Sequence, residues 1–499
     1  MSKRELQREN ATLRDENILL KEENAQLKKM IFGAKRERFE STQNPQQGKL
    51  FEQEEVELPL SESAEKEEKT VSRKKGKASR KGIKRNRFPQ SLERETIKLL
   101  PTEVAQEDST EIGQDVTELL AYRPASLYVK EIIRPRLINK GNEDSVVFQA
   151  PIPPRIVPKG MVDESLIAQI INEKIQFHTP IYRFAKKLKQ AGVDFIKENN
   201  LHNWFHTGAE SLHPLYDLLV KDILAQGYIQ ADETRITVLA KNKKGAAHRG
   251  QMWAFMAPTI KAVAFNYEPS RSTESAKVIL DDFSGKLQTD GYAVYETIAK
   301  RADIELSYCM AHARRKFYDA KDAAPDLANY FLEKVQSLYH IEEHCRAQNY
   351  SHQQRLDLRQ KKAIPILKKL QKWLTDQYAD QNLLPKSLIK KAIDYSLSRW
   401  KGLSAYAQDG QLEIDNNLVE NTIRPIALGR KNYLFAGSHQ AAQNLAVLYS
   451  IVGTCLKNNI NAYQYLHWIL KKVAAHKITP EAVEWLPHRV SPGVLASGD

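Results

Sequence analysis

The order of predicted elements between residues 228 and 309 constrains the fold of this chain more than any other sequence feature. Three hairpin-like segments rich in β-branched and aromatic residues come first, and helix-forming and strand-forming segments then alternate. We predict strands at 228–239, 251–256, 259–267, 285–288 and 305–309, and helices at 273–283 and 294–301.

Three hairpin-like strands followed by helix, strand, helix and strand is the order of a ribonuclease H-like (retroviral integrase-like) sheet. We therefore predict an α/β core whose first part covers residues 225–318. Residues 319–407 are charged and helical in pattern, which predicts a helical insertion. The second part of the core is predicted at 408–475, and a C-terminal tail at 476–499.

Three acids stand where such a core can bring them together. Asp232 lies within the first predicted strand, Asp290 follows the fourth, and Glu420 lies on a helix of the second part. Carboxylate oxygens are the ligands that Mg²⁺ prefers, and two such ions can stabilise both the attacking and the leaving oxygen in phosphoryl transfer. The pattern favours a catalytic core in which Asp232, Asp290 and Glu420 are catalytic residues and metal ligands.

The two aspartates also have structural interpretations. Neighbouring side chains of a strand face opposite sides, so only one of Asp232 and Glu233 can point into the site. Asp232 is also compatible with a surface position on an edge strand. Asp290 precedes Gly291 and is also a typical turn former.

Glu420 has the strongest competing interpretation. If Asn417 were the N-cap of its helix, Glu420 would close a capping box. Glu413 and Asp415 are further acids nearby. Arg424, one helical turn after Glu420, favours Glu420 as the third ligand because it can pair with the carboxylate or with a DNA phosphate.

Residues 3–34 carry a heptad repeat. Leucine at one seam position with asparagine at the other is typical of a parallel two-stranded coiled coil whose buried asparagines set the register. We predict a dimerisation coiled coil at 1–40; the alternatives are a solvated helix packed on its own domain and a coiled coil with an antiparallel or heteromeric partner. The repeat consists of Leu6, Asn10, Leu13, Asn17, Leu20, Asn24, Leu27 and Ile31.

Residues 41–90 contain few apolar side chains and divide their charges into an acidic block and a basic block. We predict a disordered basic linker there. Its basic half, residues 73–87, either binds DNA phosphates without reading sequence or is only a solvated tether. Residues 91–155 contain strand-like runs and are predicted to form a small β-rich segment.

Residues 160–222 have a helical pattern. A helix at 180–190, a short turn containing Gly192 and a helix from about residue 200 to 212 match the helix-turn-helix pattern. Arg183, Lys186 and Lys187 on the first of these helices favour a small helical DNA-binding domain. The alternative is an ordinary αα-hairpin.

Composition limits the class of partner. The formal net charge is +13, which favours a polyanionic partner but says nothing about fold. The three cysteines, Cys309, Cys345 and Cys455, lie far apart and are interpreted as reduced thiols of an intracellular protein. No signal peptide is recognisable, and the longest apolar run is shorter than the roughly 20 residues that span a bilayer. We predict a cytoplasmic protein without membrane contact.

Further basic residues lie close to the acids along the chain. We predict that they contact DNA phosphates beside the active site, and the alternative is a solvated basic face. Cys309 and His312 have the spacing of half a metal site, but no second pair exists. The predicted DNA contacts are His312, Arg314, Arg315, Lys316, Arg424, Arg430 and Lys431.

With these residues in view, the chain resembles the transposases of the IS66 insertion-sequence family over nearly its whole length. One departure is clear: the family usually carries a cysteine-rich zinc-binding segment before residue 112, whereas residues 101–110 contain no cysteine, so no zinc is expected there. The resemblance is carried by Ala231-Asp-Glu-Thr234, Gln288-Thr-Asp-Gly-Tyr292, Cys309-Met-Ala-His-Ala-Arg-Arg-Lys-Phe317, Ser398-Arg-Trp400, Glu413-Ile-Asp-Asn-Asn417 and Gly429-Arg-Lys-Asn-Tyr-Leu-Phe-Ala-Gly-Ser438.

This resemblance implies a DDE transposase in which Asp232, rather than Glu233, joins Asp290 and Glu420 in holding two Mg²⁺ (or Mn²⁺) ions per active site. Hydrolysis would nick the element end, and the freed 3′-OH would attack target DNA. The implied partners are DNA, as element ends and as target, and accessory proteins of the same element.

The coiled coil would form a homodimer or a higher homo-oligomer, and the protein would be associated with the bacterial nucleoid. Two alternatives remain open. One is a non-catalytic DNA-end-binding protein derived from a transposase, and the other is a ribonuclease H-like nuclease that cuts without joining.

Overall fold

The computed structural model describes most of the chain from Phe88 onward, which forms one compact unit. The coiled coil predicted at 1–40 and the linker predicted at 41–90 lie outside the described residues, apart from a few single positions. The described residues are 16–17, 20, 88, 90, 92–100, 109–123, 126–139, 147–239, 247–300, 303–380 and 383–496.

Strands in the described residues form a small sheet and a larger sheet. They are β1 (Glu93–Lys98), β2 (Ser109–Arg123), β3 (Ser126–Asn139), β4 (Phe148–Gln149), β5 (Tyr228–Leu239), β6 (Ala247–Ala257), β7 (Ala262–Glu268), β8 (Gly285–Thr289) and β9 (Ile304–Tyr308). In the small sheet β3 lies between β1 and β2, and β4 also pairs with β3. This sheet occupies the segment that was predicted to be β-rich.

The larger sheet has the strand order β7-β6-β5-β8-β9. Strands β5, β6 and β7 form an antiparallel meander, whereas β8 is parallel to β5 and β9 is parallel to β8. All five strands predicted from the sequence are present. Strand β7 begins at Ala262, later than predicted, because Lys261 closes a turn by donating to the Pro258 carbonyl at 3.3 Å and adopts a positive φ of 51°.

Helices precede, interrupt and follow the larger sheet. They are α1 (Glu164–Ile175), α2 (Ile181–Gln190), α3 (Glu198–Ser211), α4 (His213–Leu224), α5 (Thr273–Leu280), α6 (Ala293–Ile298), α7 (Met310–Asp319), α8 (Pro325–Ala347), α9 (His352–Leu358), α10 (Ile364–Tyr378), α11 (Leu388–Ser398), α12 (Trp400–Ser404), α13 (Asn417–Tyr433), α14 (His439–Lys457), α15 (Ala462–Ala475) and α16 (Pro492–Ala496). No described helix combines the length and apolarity that crossing a bilayer requires.

Strand β7 lies at an edge of the larger sheet, and α14 covers it. The Phe265 amide donates to the Ser450 hydroxyl at 2.7 Å, and the Val263 amide donates to the Thr454 hydroxyl at 3.1 Å. Gly453 lies between these two helix residues, and a Cβ atom there would lie 3.0 Å from Val263 Cγ1. The close helix therefore satisfies amides that an exposed edge strand would offer to another chain.

The helices of residues 160–222 pack in the same hydrophobic core as the larger sheet. Phe184 of α2 and Leu201 and Phe205 of α3 belong to that core. The predicted turn is present, with Gly192 at a φ of +83°, and α3 begins at Glu198, slightly earlier than expected. The segment, predicted as a small helical DNA-binding domain, thus buries its apolar faces in one core with the larger sheet.

The predicted helical insertion packs around a second core, which contains buried residues from Met310 to Ile414 together with Tyr228 of β5. Arg359 is fully buried in it, in a π-helical turn, and donates through Nη2 to Glu342 Oε2 at 2.7 Å. The same guanidinium donates to the backbone carbonyls of Tyr406, Asp409 and Leu412. Arg359 therefore links the insertion by hydrogen bonds to the segment that leads back to the sheet.

We predict that Arg359→Met strongly destabilises the protein, because it leaves the Glu342 carboxylate buried with one fewer cationic partner. Breaking a buried pair from one side costs about 3–5 kcal/mol. The free energy of unfolding in urea measures this loss. Arg346→Met is the matched control, since the Arg346 side chain is 56% exposed and its ion pair with Glu413 is long, at 3.8 Å. Equal losses in both variants would contradict the prediction.

Candidate active site

Strand alternation separates Asp232 from Glu233 on β5. Glu233 is held by the Arg271 guanidinium, whose Nε donates at 2.9 Å, and by the Tyr295 hydroxyl at 3.0 Å. Asp232 accepts only a local hydrogen bond from the Glu233 amide, at 2.8 Å. Among the described residues no cation pairs with Asp232, so its carboxylate is the one left for a ligand.

Asp290 follows β8 in a tight turn. Its Oδ1 accepts from the Tyr292 amide at 2.9 Å, and Gly291 has a φ of +91°. Two side chains of the insertion hold the turn by its carbonyls: the Tyr395 hydroxyl donates to Asp290 at 2.7 Å and Arg399 donates to Gly291 at 3.2 Å. Asp290 therefore does form a turn, as its structural interpretation from the sequence held. The turn uses only one of its two carboxylate oxygens.

Glu420 lies in the first turn of α13. The N-cap of this helix is Asn416, which makes no side-chain capping bond, and Asn417 is already helical. The capping box considered from the sequence is therefore absent. The Asn417 side chain donates instead to Asp415 Oδ2, at 2.8 Å.

The two competing acids near Glu420 are occupied by other partners. Glu413 pairs with Arg355 at 2.8 Å, inside the insertion network. Asp415 accepts from the Tyr339 hydroxyl at 2.8 Å. Of these three acids, Glu420 alone makes no hydrogen bond shorter than 3.5 Å to a described side chain.

The pKa shifts of Asp232 and Glu420 indicate that both carboxylates lie within electrostatic range of Asp290 and of each other. Burial, then the Glu233 carboxylate, and then those of Glu420 and Asp290 raise the pKa of Asp232 to about 8. Burial also raises the pKa of Glu420, and the Asp290 charge adds to this shift. Bringing negative charges together in a partly buried place is unfavourable unless a cation joins them.

This donor set fits a hard divalent cation. The three side chains supply carboxylate oxygens, which Mg²⁺ and Mn²⁺ prefer, and their mutual repulsion would be relieved by positive charge. No thiolate is available at this place, because burial raises the pKa of the Cys309 thiol and keeps it neutral.

Cys309, His312 and Glu420 form a second cluster, in which one ligand atom of each lies within 4.8 Å of the others. His312 Nδ1 is 3.8 Å from Glu420 Oε1 and has no hydrogen-bond partner. Burial lowers the pKa of His312, so its imidazole is neutral at neutral pH. Cys309 accepts from the Asn416 amide at 3.4 Å, which gives the buried thiol a structural contact at the start of α13.

The structure brings some of the predicted DNA contacts to the carboxylates. Arg315 and Arg424 both lower the pKa of Glu420, so their charges face it. Lys316 lies over the Tyr395 ring at 4.5 Å, and Arg430 donates to the Arg235 carbonyl. The remaining two contacts, Arg314 and Lys431, lie on the same helices, α7 and α13.

The cations of α2 contact other residues. Lys187 pairs with Glu173 at 2.8 Å, and Arg183 and Lys186 lie near the Tyr182 ring. All three are exposed. They form a basic face on α2 whose contacts do not include the carboxylates.

Sequence reasoning missed the side chains that support the acids. Arg271, which neutralises Glu233, lies in a loop and has no periodic signal. Gln230 and Gln288 are fully buried amides in otherwise apolar strands, and each precedes an acid by two positions. A polar residue within an otherwise apolar strand was the sequence signal that could have identified these two glutamines.

Comparison with known proteins agrees with the residues described above. A family model described as "Transposase IS66 family" matches residues 159–444, which contain all three acids. A model described as "Transposase C of IS166 homeodomain" matches residues 19–97. No solved structure matches the chain significantly.

Three similar proteins come from Sinorhizobium fredii (strain NBRC 101917 / NGR234), and each is named only as uncharacterized. Protein y4jD is 34% identical over 75% of this chain and 75% of its own length. Protein y4hP is 29% identical over 83% of this chain and 78% of its own. Protein y4qI is 29% identical over 93% of this chain and 87% of its own.

We predict that Asp232→Asn stabilises the metal-free protein at alkaline pH. A raised pKa means that the folded state binds this proton more tightly than the unfolded state. Wild-type stability therefore falls as pH rises from about 4 to about 8. The asparagine variant should have a Tm a few degrees above wild type at pH 9 in EDTA, and a smaller difference at pH 5.

The Asp194 side chain is exposed, so Asp194→Asn is the matched control. It should leave the Tm unchanged at both pH values. Mn²⁺ should raise the Tm of wild type and of the control more than that of Asp232→Asn. An Asp232→Asn variant less stable than wild type at pH 9 would contradict the charge-crowding interpretation.

Proposed function

The chain belongs to the IS66 transposase family, and we propose that it cleaves the ends of its insertion sequence and joins their 3′-OH groups to target DNA. The proposed chemistry is DDE phosphoryl transfer at Asp232, Asp290 and Glu420. The observation that carries this proposal is that three carboxylates from separate parts of the chain come within electrostatic range of one another, inside the region that matches the family, and that the pKa values of Asp232 and Glu420 are raised there.

The strand order supports a ribonuclease H-like core. An antiparallel meander, β7-β6-β5, continued by two parallel strands, is the arrangement expected of that fold. Asp232 lies on the central strand β5, Asp290 follows its parallel neighbour β8, and α13 carrying Glu420 packs on β5. Acids at these positions converge because the two strands run in the same direction.

Asp232, Asp290 and Glu420 would hold Mg²⁺ or Mn²⁺, which supplies activation of the attacking water or 3′-OH and charge stabilisation at the leaving oxygen. Arg315 and Arg424 would bind the phosphates of the strand being cut, since Arg matches a phosphate bidentately. His312, neutral and lying beside Glu420, would orient that carboxylate. No side chain need form a covalent bond with DNA.

A non-catalytic end-binding protein is less consistent with the site. Such a protein has no use for three acids gathered at one place, since the raised pKa values of Asp232 and Glu420 lower stability at neutral pH. A nuclease that cuts without joining shares the same carboxylates. The family membership favours joining as well as cutting.

DNA binding would involve surfaces outside the carboxylates. The α2 face of Arg183, Lys186 and Lys187 is exposed and basic, as phosphate contacts require. A coiled coil at residues 1–40 would pair two chains, so that two active sites act on two element ends. Accessory proteins of the same element would join this assembly.

We predict that Asp290→Asn abolishes both nicking and strand transfer on labelled DNA that carries the element ends, in Mg²⁺. Losing one carboxylate ligand should reduce the rate at least about 100-fold, as losses of a single catalytic group typically do. The control Asp194→Asn should nick and join as wild type does.

Cleavage without joined product by wild type would favour the nuclease alternative. Binding of the ends without cleavage would favour the non-catalytic one. Equal cleavage by wild type and Asp290→Asn would contradict the assignment of this acid.

We predict that replacing Arg183, Lys186 and Lys187 together by alanine weakens DNA binding at all sequences alike. Loss of about three phosphate contacts should reduce the slope of log K against log salt by roughly 2–3. Lys361, Lys362 and Lys368 of the insertion are the matched control, with the same loss of charge from exposed side chains. Equal changes in both triple variants would indicate a net-charge effect and contradict the role of the α2 face.

A further inference from the structure

Two buried glutamines link the three carboxylates. Gln230 of β5 and Gln288 of β8 lie directly opposite each other in the parallel register, and neither is exposed at all. Each lies two residues before an acid: Gln230 shares a strand face with Asp232 on β5, and Gln288 lies near the end of β8, directly before the turn that contains Asp290. The two amides therefore lie side by side on adjacent strands, each two residues before an aspartate.

The two amides bind each other and the segment that precedes Glu420. Gln230 Nε2 donates to Gln288 Oε1 at 2.8 Å and to the Asp415 carbonyl at 3.0 Å. Gln288 Nε2 donates to the Glu413 carbonyl at 2.7 Å. Both strands thus hold the loop from which α13 begins.

The same network reaches the first turn of α13. The Val419 amide, next to Glu420, donates to Gln230 Oε1 at 3.2 Å and also to the Asn416 carbonyl at 3.1 Å. The amides of a first helical turn lack partners within the helix, and Asn416 supplies no side-chain cap. Gln230 therefore acts as the side-chain acceptor at this helix start, from a distant strand.

Tyr228 completes the network on the other side. Its hydroxyl donates to Gln288 Oε1 at 2.6 Å and accepts from the Glu413 amide at 3.1 Å. Both the amide and the carbonyl of Glu413 are thus fixed by sheet residues. Two apolar side chains would fill the same space without the free-energy cost of removing two amides from water. The presence of glutamines therefore indicates that the hydrogen bonds they make are important at this place.

We propose that Gln230 and Gln288, assisted by Tyr228, are positioning residues that set where Glu420 stands relative to Asp232 and Asp290, and thereby the affinity of the site for its divalent cation. This inference rests on the proposed function. The glutamines act through the backbone of residues 413–419 and touch neither metal nor DNA. Residues that orient metal ligands typically change metal affinity or activity about 10–100-fold when replaced.

The test compares Gln230→Met and Gln288→Met with wild type, using the full chain. The concentration of Mn²⁺ that gives half of the maximal rise in Tm, without DNA, should increase about 10–100-fold in both variants. Amide hydrogen exchange in residues 413–420 should become faster. Nicking should recover at high Mn²⁺, whereas it should not recover in Asp290→Asn, and the Kd for DNA measured without metal should stay at the wild-type value.

Two further variants separate positioning from general destabilisation. Asn444→Leu removes an equally buried amide on α14, whose partners are His206 and His213. It should lower Tm but leave the Mn²⁺ midpoint and exchange at 413–420 unchanged. Tyr228→Phe removes a single hydroxyl and, should the methionine variants fail to fold, must shift both measures in the same direction.

The outcomes distinguish the two proposals. If wild type binds Mn²⁺ and the glutamine variants match its midpoint and exchange rates, the positioning role is wrong and the proposed function stands. If the Mn²⁺ midpoint moves equally in Asn444→Leu, the effect is general and the positioning role is again wrong. If wild type shows no stabilisation by Mn²⁺, the proposed function itself fails.

Discussion

The parallel register of β5 and β8 is the constraint on which the candidate site depends. Gln230 lies opposite Gln288, and the chain then delivers an acid two residues later on each strand. A slip of one residue would turn Asp232 to the face where Glu233 meets Arg271. The ladder bonds alone would tolerate such a slip, but the buried amide pair would lose its partners, so the side chains help to specify the register.

Glu420 reaches the same place by a longer route, because the helical insertion lies between it and the sheet. The insertion folds around its own core, and the buried Arg359 binds carbonyls of the returning segment up to Leu412. Glu413 and Asp415 then meet the two glutamines, and α13 begins. The hydrogen bonds of Arg359 and those of the two glutamines thus hold consecutive parts of one segment. This explains how Glu420 can be positioned beside the sheet although a large insertion precedes it.

The electrostatics of the site are unfavourable in the absence of a ligand. Burial and neighbouring carboxylates raise the pKa of Asp232, while the charges of Arg315 and Arg424 lower that of Glu420. The other acids nearby are neutralised within the protein, Glu233 by Arg271 and Glu413 by Arg355. Negative charge without a hydrogen-bonded cation therefore gathers at the three acids proposed to bind metal and at Asp415, which is buried near Glu420 and accepts from the Tyr339 hydroxyl.

The sequence by itself determined the strands and helices of residues 228–309, because alternation and residue type are local properties, and it singled out Asp232, Asp290 and Glu420 through motifs that resemble a known family. It did not show which partners occupy Glu413 and Asp415, or that α1–α4 share the core of the sheet. Those outcomes depend on contacts such as that of Gln230 with Asp415, 185 positions apart. Only the tertiary structure decides which acid is left without a partner, because local periodicity carries no information about partners so distant in the chain.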